Sequence, residues 1–387
     1  MNQTADRRMY LFLVVLAVAS AAAFQGWRTL LNNFAVETAG LSGAQMGVVQ
    51  SVRELPGFFA LGAVYVMLFM REHRLAASGV LVLGLGVMAS GLLPSFGGLV
   101  VTVLTMSFGF HYFETANQSL TLQYFGVREA PLVMARLRSL GALTNVVTGI
   151  AVWVMAAHMS YEAMFAVLGG VAVLAGGWAL TRDPSRPDLP PQVKKLVFRR
   201  RYWLFYALTF LSGARRQIFV AFAVFLLVAR FGFSVQAVTA LFVANNVVNY
   251  FLNPYIGRAV NRWGERRVLT LEYAALTLVF AGYALTDSPW VAGALYVVDN
   301  IFFNFAMAIR TFYQKIADPG DIASGMAVGF TINHIAAVAI PALGGLAWMT
   351  DHSLVFWGAS ALAALSLALS QFVDRELAAT DRARKGR

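Results

Sequence analysis

The chain alternates between long apolar stretches and short polar connections along nearly its whole length. About 20 consecutive apolar residues in a helix are enough to cross the hydrocarbon core of a membrane. Twelve stretches reach that length, and we number the predicted helices 1 to 12 in chain order. Their approximate bounds are 9–36, 43–70, 75–94, 97–124, 134–157, 161–180, 202–229, 234–257, 268–286, 290–314, 322–349 and 353–373.

Composition agrees with a membrane protein. Hydrophobic residues make up 59% of the chain and charged residues 13%, about half of the roughly 25% that is usual for a soluble protein. The net charge of +11 is divided among short clusters between apolar stretches, so the sequence predicts no nucleic-acid-binding face. There are no cysteines, which excludes disulfides and thiolate metal sites, and we expect neither a metal nor a cofactor.

The basic residues lie on one side of the predicted topology. With the N-terminus inside, the seven inner segments and their adjoining helix ends carry 25 of the 30 Lys and Arg residues, whereas the outer segments carry only Arg230. Cytoplasmic loops of membrane proteins are enriched in Lys and Arg. The pattern therefore predicts a multi-pass protein of the bacterial inner (plasma) membrane, with both termini in the cytoplasm.

Two polar patterns occur twice, about 188 residues apart. A Gly-x-Arg pattern at 26–28 recurs at 213–215, and a segment that begins with Gly and ends with Asn at 141–145 recurs at 329–333. Duplicated halves place a transporter's substrate site near the bilayer midplane, between the repeats. The predicted divisions are an N-terminal six-helix bundle (1–181), a cytoplasmic linker (182–201), a C-terminal six-helix bundle (202–375) and a basic cytoplasmic tail (376–387).

The connection after helix 8 resembles a known family signature. Residues 257–267 read GRAVNRWGERR and are similar to the major facilitator signature G-x-x-x-D-R-x-G-R-R/K, from which they depart at Asn261 and Glu265. The copy expected after helix 2 is reduced to residues 71–74. The resemblance implies an all-α membrane protein with twelve transmembrane helices in two pseudo-symmetric six-helix bundles, the major facilitator fold. It also implies a conformational latch loop, formed here by Gly257, Asn261, Arg262, Gly264 and Arg266.

Seven charged residues lie deep inside predicted helices. A charge at such a depth costs about 2.5–3.5 kcal/mol on insertion scales, so each is a candidate functional residue. In the major facilitator fold, helices 1, 4, 7 and 10 line the central cavity, and five of the seven charges fall on these helices. The seven residues are Arg28, Arg53, Glu54, Glu114, Arg215, Arg216 and Asp299.

Neighbouring polar residues extend these candidates into stripes, because residues three or four apart share one face of a helix. We expect the substrate to contact these stripes. Their members are Gln25, Arg28 and Asn32 on helix 1, His111, Glu114, Asn117 and Gln118 on helix 4, and Asn300 and Asn304, flanked by Asp299, on helix 10.

Arg28 and Arg215 occupy matching positions in the two repeats, and Arg216 follows directly. Two facing guanidinium groups repel each other unless an anion lies between them, and the planar fork of Arg suits carboxylate or phosphate. The arrangement is similar to that of organophosphate:phosphate antiporters, which hold phosphate between one Arg on helix 1 and one on helix 7. We predict a small organic anion held between Arg28 and Arg215. In the alternative, Arg28 pairs with Glu54 or Glu114 and binds no substrate.

The sequence contains no Walker loop, no H-E-x-x-H and no G-x-S-x-G motif, so we predict that the chain is not an enzyme. The leading hypothesis is a monomeric secondary active transporter that works by alternating access, with a small molecule and a proton or counter-substrate as partners. The alternative is proton-coupled efflux of a neutral or cationic compound, with Glu114, Asp299 and Glu54 as proton carriers. A polytopic membrane enzyme or receptor is the remote alternative.

Overall fold

The computed structural model describes residues 3–193, 195–233 and 235–385, most of which are helical. We number the helices in chain order, which matches the predicted helices 1 to 12. The first six are α1 (Gln3–Glu37), α2 (Gly43–Phe58), α3 (Glu72–Leu92), α4 (Phe96–Tyr124), α5 (Ala130–Ala156) and α6 (Tyr161–Leu180). The others are α7 (Trp203–Ile218), α8 (235–263), α9 (265–285), α10 (Pro289–Phe303), α11 (Ile322–Thr350), α12 (His352–Ser370) and α13 (Val373–Lys385).

Three helices continue past a local irregularity. A 3-10 turn joins α2 to Gly62–Val66, a π-helical turn joins α7 to Val224–Ala229, and a 3-10 turn joins α10 to Met307–Ile316. Short 3-10 turns also precede α7 and α11. Gly264 separates α8 from α9 with φ 79° and ψ 162°. Glycine is suited to this point of the chain because it lacks the Cβ that disfavours positive φ.

The helices have the length and composition of membrane spans. Within the described ranges, nine helices are long and apolar enough to cross a membrane. In this count α8 and α9 form one continuous helix, and α2 and α11 are not included. Pro56 and the 3-10 turn that follows divide α2 into short pieces, because proline removes a backbone donor from the helix. The twelve long elements follow the predicted order, and the predicted all-α fold class is confirmed.

Contacts between Cα atoms group the chain into two compact units. Unit 1 comprises Met1–Phe125, Leu140–Val197 and Gly320–Thr331, and unit 2 comprises Gly126–Ser139, Phe198–Pro319 and Ile332–Arg387. Each unit therefore contains most of one sequence half together with a short segment of the other. The exchanged segments are the first parts of α5 and α11.

Unit 1 is held together by close helix approaches at glycines. A Cβ added to Gly84 on α3 would lie 2.6 Å from the carbonyl oxygen of Gly169 on α6. A Cβ on Gly109 of α4 would lie 2.4 Å from the carbonyl oxygen of Gly79. Small residues at such crossings let membrane helices pack backbone against backbone. Larger side chains at these positions would force the helices apart.

Unit 2 has an aromatic core between α7, α9, α10 and α12. Phe219 in the π-helical turn stacks on Tyr296, with ring centroids 4.9 Å apart, and Tyr283 stacks on Phe356 at 5.1 Å. All four rings are buried. Stacked and edge-on rings at such distances stabilise a pair beyond its buried area. This core fixes α7 against α9 and α10. The candidate charges of unit 2 lie on α7 and α10.

The connection after α6 is attached to the rest of unit 1 by hydrogen bonds and an ion pair. Asp183 pairs with Arg71 at 2.8 Å, and hydrogen bonds from Ser185 lower the pKa of the Asp183 carboxyl. Further along, the Val193 amide donates to the carbonyl oxygen of Gly320 at 2.8 Å. The Val197 amide donates to the buried hydroxyl of Ser324 at 2.7 Å. This part of the predicted linker therefore lies along the beginning of α11.

The end of the chain, predicted only as a basic tail, contains α13 and is bound to unit 2. Asp374 pairs with Arg266 at 2.8 Å, and Trp203 Nε1 donates to Glu376 at 3.2 Å. Arg384 donates to the carbonyl oxygen of Ala317 at 2.8 Å. Most of the charged side chains of this segment are exposed.

Candidate functional site

The predicted polar stripe of α1 lies partly at the surface of unit 1. Arg28 and Asn32 are exposed, whereas Gln25 is half-buried and donates from Nε2 to the hydroxyl of Thr29 at 3.3 Å. Trp27, next to Arg28, is fully buried. The helix thus turns its aromatic side into the bundle and its arginine outward, as expected for an amphipathic face.

On α4, the predicted residues are less exposed than those on α1. His111 is buried, Glu114 and Asn117 are half-buried, and Gln118 Nε2 lies 3.4 Å from Glu114 Oε2. A carboxylate oxygen of Glu54 lies within 4.8 Å of a ring nitrogen of His111. The structure therefore places Glu54 of α2 close to His111 of α4 inside unit 1, and both are predicted site residues.

Glu54 also pairs with the neighbouring Arg53 at 2.7 Å, with both side chains half-buried. Ser107 on α4 donates its hydroxyl to the carbonyl oxygen of Arg53. Both deep charges of α2 are thus held close to α4, and their pairing reduces the cost of placing them at this depth.

The two adjacent arginines of α7 have different environments. Arg215 is 3% exposed, with its guanidinium over the ring of Tyr273 at 4.4 Å and Nη2 3.8 Å from Glu272 Oε1. Arg216 is exposed and lies over the ring of Phe303 at 5.4 Å. Successive helix residues point about 100° apart, since a turn holds 3.6 residues. Arg215 therefore faces the interior of unit 2 and Arg216 its surface.

Arg215 belongs to a cluster of four charges from four helices, three of them buried and the fourth, Arg138, half-buried. Glu272 on α9 is fully buried and interacts with both Arg215 and Arg138 of α5. Asp299 on α10 is 2% exposed and also interacts electrostatically with Arg215. Two arginines and two carboxyls form a neutral set when all are ionised. We call Arg138, Arg215, Glu272 and Asp299 the charge cluster.

Several polar atoms of the charge cluster have no hydrogen-bond partner among the described residues. They include both carboxylate oxygens of Glu272, Asp299 Oδ2 and Arg215 Nη1. Buried polar groups are nearly always hydrogen-bonded, and a buried charge without such bonds costs several kcal/mol. The cluster is therefore held together by electrostatic attraction with little hydrogen bonding.

An asparagine network lies beside the charge cluster. Asn249 on α8 donates to Asn300 Oδ1 at 2.8 Å and accepts from Asn304 Nδ2 at 2.8 Å. Arg138 Nη1 donates to Asn304 Oδ1 at 3.1 Å. Asn300 and Asn304 were predicted as substrate contacts, and in this structure they join α8, α10 and α5. Arg138 connects this asparagine network to the charge cluster.

The predicted latch loop forms contacts that explain its two departures from the signature. Asn261 Nδ2 donates to the carbonyl oxygen of Arg128 at 2.6 Å, a bond that an ionised Asp cannot donate. Glu265 is buried and pairs with Lys315 at 2.7 Å. The substituted residues therefore have defined partners within unit 2.

The other latch residues lie around these two. A Cβ on Gly257 would lie 2.7 Å from the Pro131 carbonyl oxygen, so α8 and α5 are in close contact there. Arg262 is exposed, Arg266 binds Asp374 of α13, and Gly264 forms the break between α8 and α9.

Comparison with known proteins identifies the family. The sequence profile described as Major Facilitator Superfamily matches residues 11–341. The chain belongs to the major facilitator superfamily. A search of curated protein sequences finds no match to it.

Solved major facilitator structures have the same fold. FucP, a major facilitator transporter in the outward conformation, is similar with a TM-score of 0.76 and 12% identity over 95% of this chain and 99% of that one. A second FucP structure, described as the E. coli fucose:proton symporter, gives 0.74 and 12% over 95% and 99%. The human organic anion transporter MFSD10 (TETRAN) gives 0.71 and 13% over 94% and 99%. At these identities the likeness shows the fold alone.

Membership of the superfamily makes the chain a multi-pass secondary transporter and not an enzyme, as predicted. Alternating access, typical of the major facilitator fold, is the expected mode of transport. Its substrate is a small molecule, as in the rest of the superfamily.

Sequence reasoning missed two of the four residues in the charge cluster. Glu272 lies only five residues into the predicted helix 9, and Arg138 lies near the start of the predicted helix 5, and neither is among the seven charges that the sequence predicted as candidates. The available signal was an isolated charge inside an apolar stretch, as at Leu271-Glu272-Tyr273. Charges on α5 and α9 deserve the same weight as those on the helices that line the cavity in major facilitator proteins.

Proposed function

We propose that this major facilitator protein is a proton-coupled secondary transporter of a small organic anion. The observation that carries the proposal is the charge cluster of unit 2. There, Glu272 and Asp299 are almost completely buried beside Arg215. A carboxyl in such a place is stable either ionised next to an arginine or neutral with a bound proton. Binding of a proton and the position of Arg215 are therefore energetically linked.

Further support for proton coupling comes from the arrangement of partners. The Arg215 to Glu272 contact is long, at 3.8 Å, and Arg215 Nη1 has no hydrogen-bond partner within the described ranges. When one of the two carboxylates is protonated, Arg215 can interact with the other. The fold of a fucose:proton symporter is similar over almost the entire chain. The remaining predicted carriers, Glu54 and Glu114, are half-buried in unit 1 and are second candidates for the same role.

The anionic substrate class is proposed from the exposed arginines. Arg28 on α1 is exposed in unit 1, and Arg216 on α7 is exposed in unit 2. An arginine in a membrane helix suits carboxylate or phosphate ligands, which its planar fork can bind through two hydrogen bonds. Arg215, predicted to share this role with Arg28, is engaged with Glu272 and Tyr273. We therefore propose Arg28 and Arg216 as the primary anion ligands, with Arg215 in the coupling role.

Transport driven by a proton gradient is the direct test. Thermal-shift screening against phosphorylated and carboxylated metabolites identifies ligands, because binding to the folded state raises its melting temperature. For a ligand found in this way, a gradient of one pH unit across proteoliposomes stores about 1.4 kcal/mol per proton. One proton per solute then gives about tenfold accumulation.

Liposomes without protein and a protonophore are the controls for this transport assay. Equal uptake with and without the pH gradient would refute proton coupling. A response to neutral or cationic solutes alone would favour the alternative, proton-coupled efflux of such a compound.

We also propose that the linker and both termini face the cytoplasm, from the asymmetry of basic residues. Fusions of alkaline phosphatase and of green fluorescent protein after Lys195 and at the C-terminus distinguish the two sides. We expect fluorescence and no phosphatase activity at both positions. A fusion after Asp287, in a predicted outer connection, is the matched control with the opposite expected result. Phosphatase activity at either inner position would overturn this orientation.

A further inference from the structure

The break in α2 exposes backbone groups that a side chain of α11 satisfies. After Pro56 the helix tightens into the 3-10 turn Phe59–Leu61, and tightening of this kind leaves ordinary helix hydrogen bonds unmade. The hydroxyl of Thr331 donates to the Phe58 carbonyl oxygen at 3.1 Å and accepts from the Leu61 amide at 3.0 Å. One buried hydroxyl thus bridges the two sides of the break.

A second hydroxyl does the same at the proline of α8. Pro254 has no N–H, so the carbonyl oxygen of Tyr250, four residues earlier, has no donor in its own helix. The hydroxyl of Ser139 on α5 donates to this carbonyl oxygen. In unit 2, as in unit 1, a hydroxyl from a neighbouring helix satisfies a backbone group released by a proline or by the turn after it.

The two hydroxyls occupy comparable positions. Ser139 is the tenth residue of α5 and Thr331 the tenth residue of α11. Four residues before each is a fully buried alanine, Ala135 or Ala327, packed on the helix that the hydroxyl satisfies. Each hydroxyl also bonds to a helix of the opposite sequence half, since α5 binds α8 and α11 binds α2.

We propose that Ser139 in unit 2 and Thr331 in unit 1 control the conformational step of transport, each at the point where its own helix, α5 or α11, contacts a helix of the other sequence half. In alternating access the two sequence halves separate at one end and then at the other. Separation of α5 from α8 and of α11 from α2 breaks the hydroxyl bonds and leaves the Tyr250 and Phe58 carbonyl oxygens in need of water or a rearranged helix. The hydroxyls therefore favour the closed form, in which α5 stays in contact with α8 and α11 with α2, independently of how transport is coupled to protons.

Removing one hydroxyl is expected to shift the balance between closed and open forms. A single hydrogen bond of this kind changes the ratio about three- to tenfold. Thr331→Val and Ser139→Ala remove the donors. Thr331→Ser keeps the hydroxyl, and Thr144→Val is the matched control, because the Thr144 hydroxyl donates to the carbonyl oxygen of Leu140 in its own helix.

Cysteine labelling can report the shift, since the natural chain has no cysteine. Ala327→Cys reports access between α11 and α2, and Ala135→Cys reports access between α5 and α8. With a membrane-permeant maleimide, we expect Thr331→Val to raise the labelling rate at position 327 about three- to tenfold. Ser139→Ala should have the same effect at position 135. Thr331→Ser and Thr144→Val should remain within about twofold of the parent protein.

Hydrogen exchange measured by mass spectrometry provides a second readout without any cysteine. Amides around residues 58–62 should exchange faster in Thr331→Val, and those around 250–254 faster in Ser139→Ala. The proposal is overturned if these variants behave like Thr144→Val in both labelling and exchange. Slower labelling in either variant would overturn it as well, because the hydroxyls would then oppose closure.

Discussion

Replacing Asp299 by Asn or Glu272 by Gln is expected to abolish accumulation driven by a pH gradient while leaving solute exchange intact. At a gradient of one pH unit, accumulation should fall from about tenfold to about onefold, the value without coupling. Exchange of labelled for unlabelled solute needs no net proton movement, so it should stay within about threefold of wild type.

The physical reason lies in what each substitution removes. An amide has nearly the shape of a carboxyl but cannot bind or release a proton, so the charge cluster loses a titratable member without losing volume. Glu272 Oε1 lies 3.8 Å from Arg215 Nη2 and Asp299 interacts electrostatically with Arg215, so each substitution leaves the arginine one carboxylate. Thermal unfolding of each variant distinguishes loss of coupling from loss of folded protein.

The matched control is Glu265→Gln. Glu265 is also a buried acid of α9, but its partner is Lys315 and it lies outside the charge cluster. We expect Glu265→Gln to be less stable than wild type, and we expect the pH gradient still to drive accumulation of the solute. Glu114→Gln tests the half-buried acid of α4, which the sequence also predicted as a carrier. If Asp299→Asn and Glu272→Gln both accumulate solute as wild type does, the two carboxyls are structural.

Membrane helices and their order were predictable because hydropathy depends only on local sequence. Lipid requires about 20 apolar residues for each span, and that requirement is visible at every helix except where a break shortens it. The break between α8 and α9 was predictable for a similar reason. Gly264 adopts a positive φ, a conformation that favours glycine. The requirement for this conformation is therefore visible in the sequence as a single glycine.

Side-chain partners were harder to predict, because they depend on which helices pack together. The repeat pattern matched Arg215 with Arg28 as positions in the sequence, but a repeat does not fix the environment of a side chain. Arg215 is buried because α9 offers Glu272 and Tyr273 at the same depth, and nothing near Arg215 in the sequence indicates this. The hydroxyl of Thr331 is a similar case, since its partners on α2 are about 270 residues away.

Replacing Arg215 by Ala is expected to destabilise the protein strongly, whereas replacing Arg216 by Ala is not. Removing one member of a buried ion pair leaves the partner charge uncompensated, which typically costs about 3–5 kcal/mol. Arg215 is 3% exposed and Glu272 fully buried, so this case applies to them. Arg216 is exposed, and its loss should change the free energy of unfolding by less than about 1 kcal/mol.

Thermal unfolding of detergent-purified variants measures the difference, and a double substitution tests its cause. Arg215→Ala together with Glu272→Gln removes opposite charges and leaves Arg138 and Asp299, a set that is again neutral. The double variant should therefore be more stable than Arg215→Ala alone, with an interaction energy on the order of 1–3 kcal/mol. Additive losses would show that Arg215 and Glu272 do not depend on each other.

Ligand binding by Lys variants separates a coupling role for Arg215 from an anion-binding role. Lys keeps the charge but loses the planar fork, so it replaces Arg poorly where two hydrogen bonds hold an anion. We expect Arg28→Lys and Arg216→Lys to weaken binding of the anionic ligand about tenfold or more, the value of one charged hydrogen bond. Arg215→Lys should bind the ligand within about threefold of wild type but accumulate it less. If Arg215→Lys instead loses affinity as much as Arg28→Lys does, Arg215 contacts the substrate, as the sequence alone predicted.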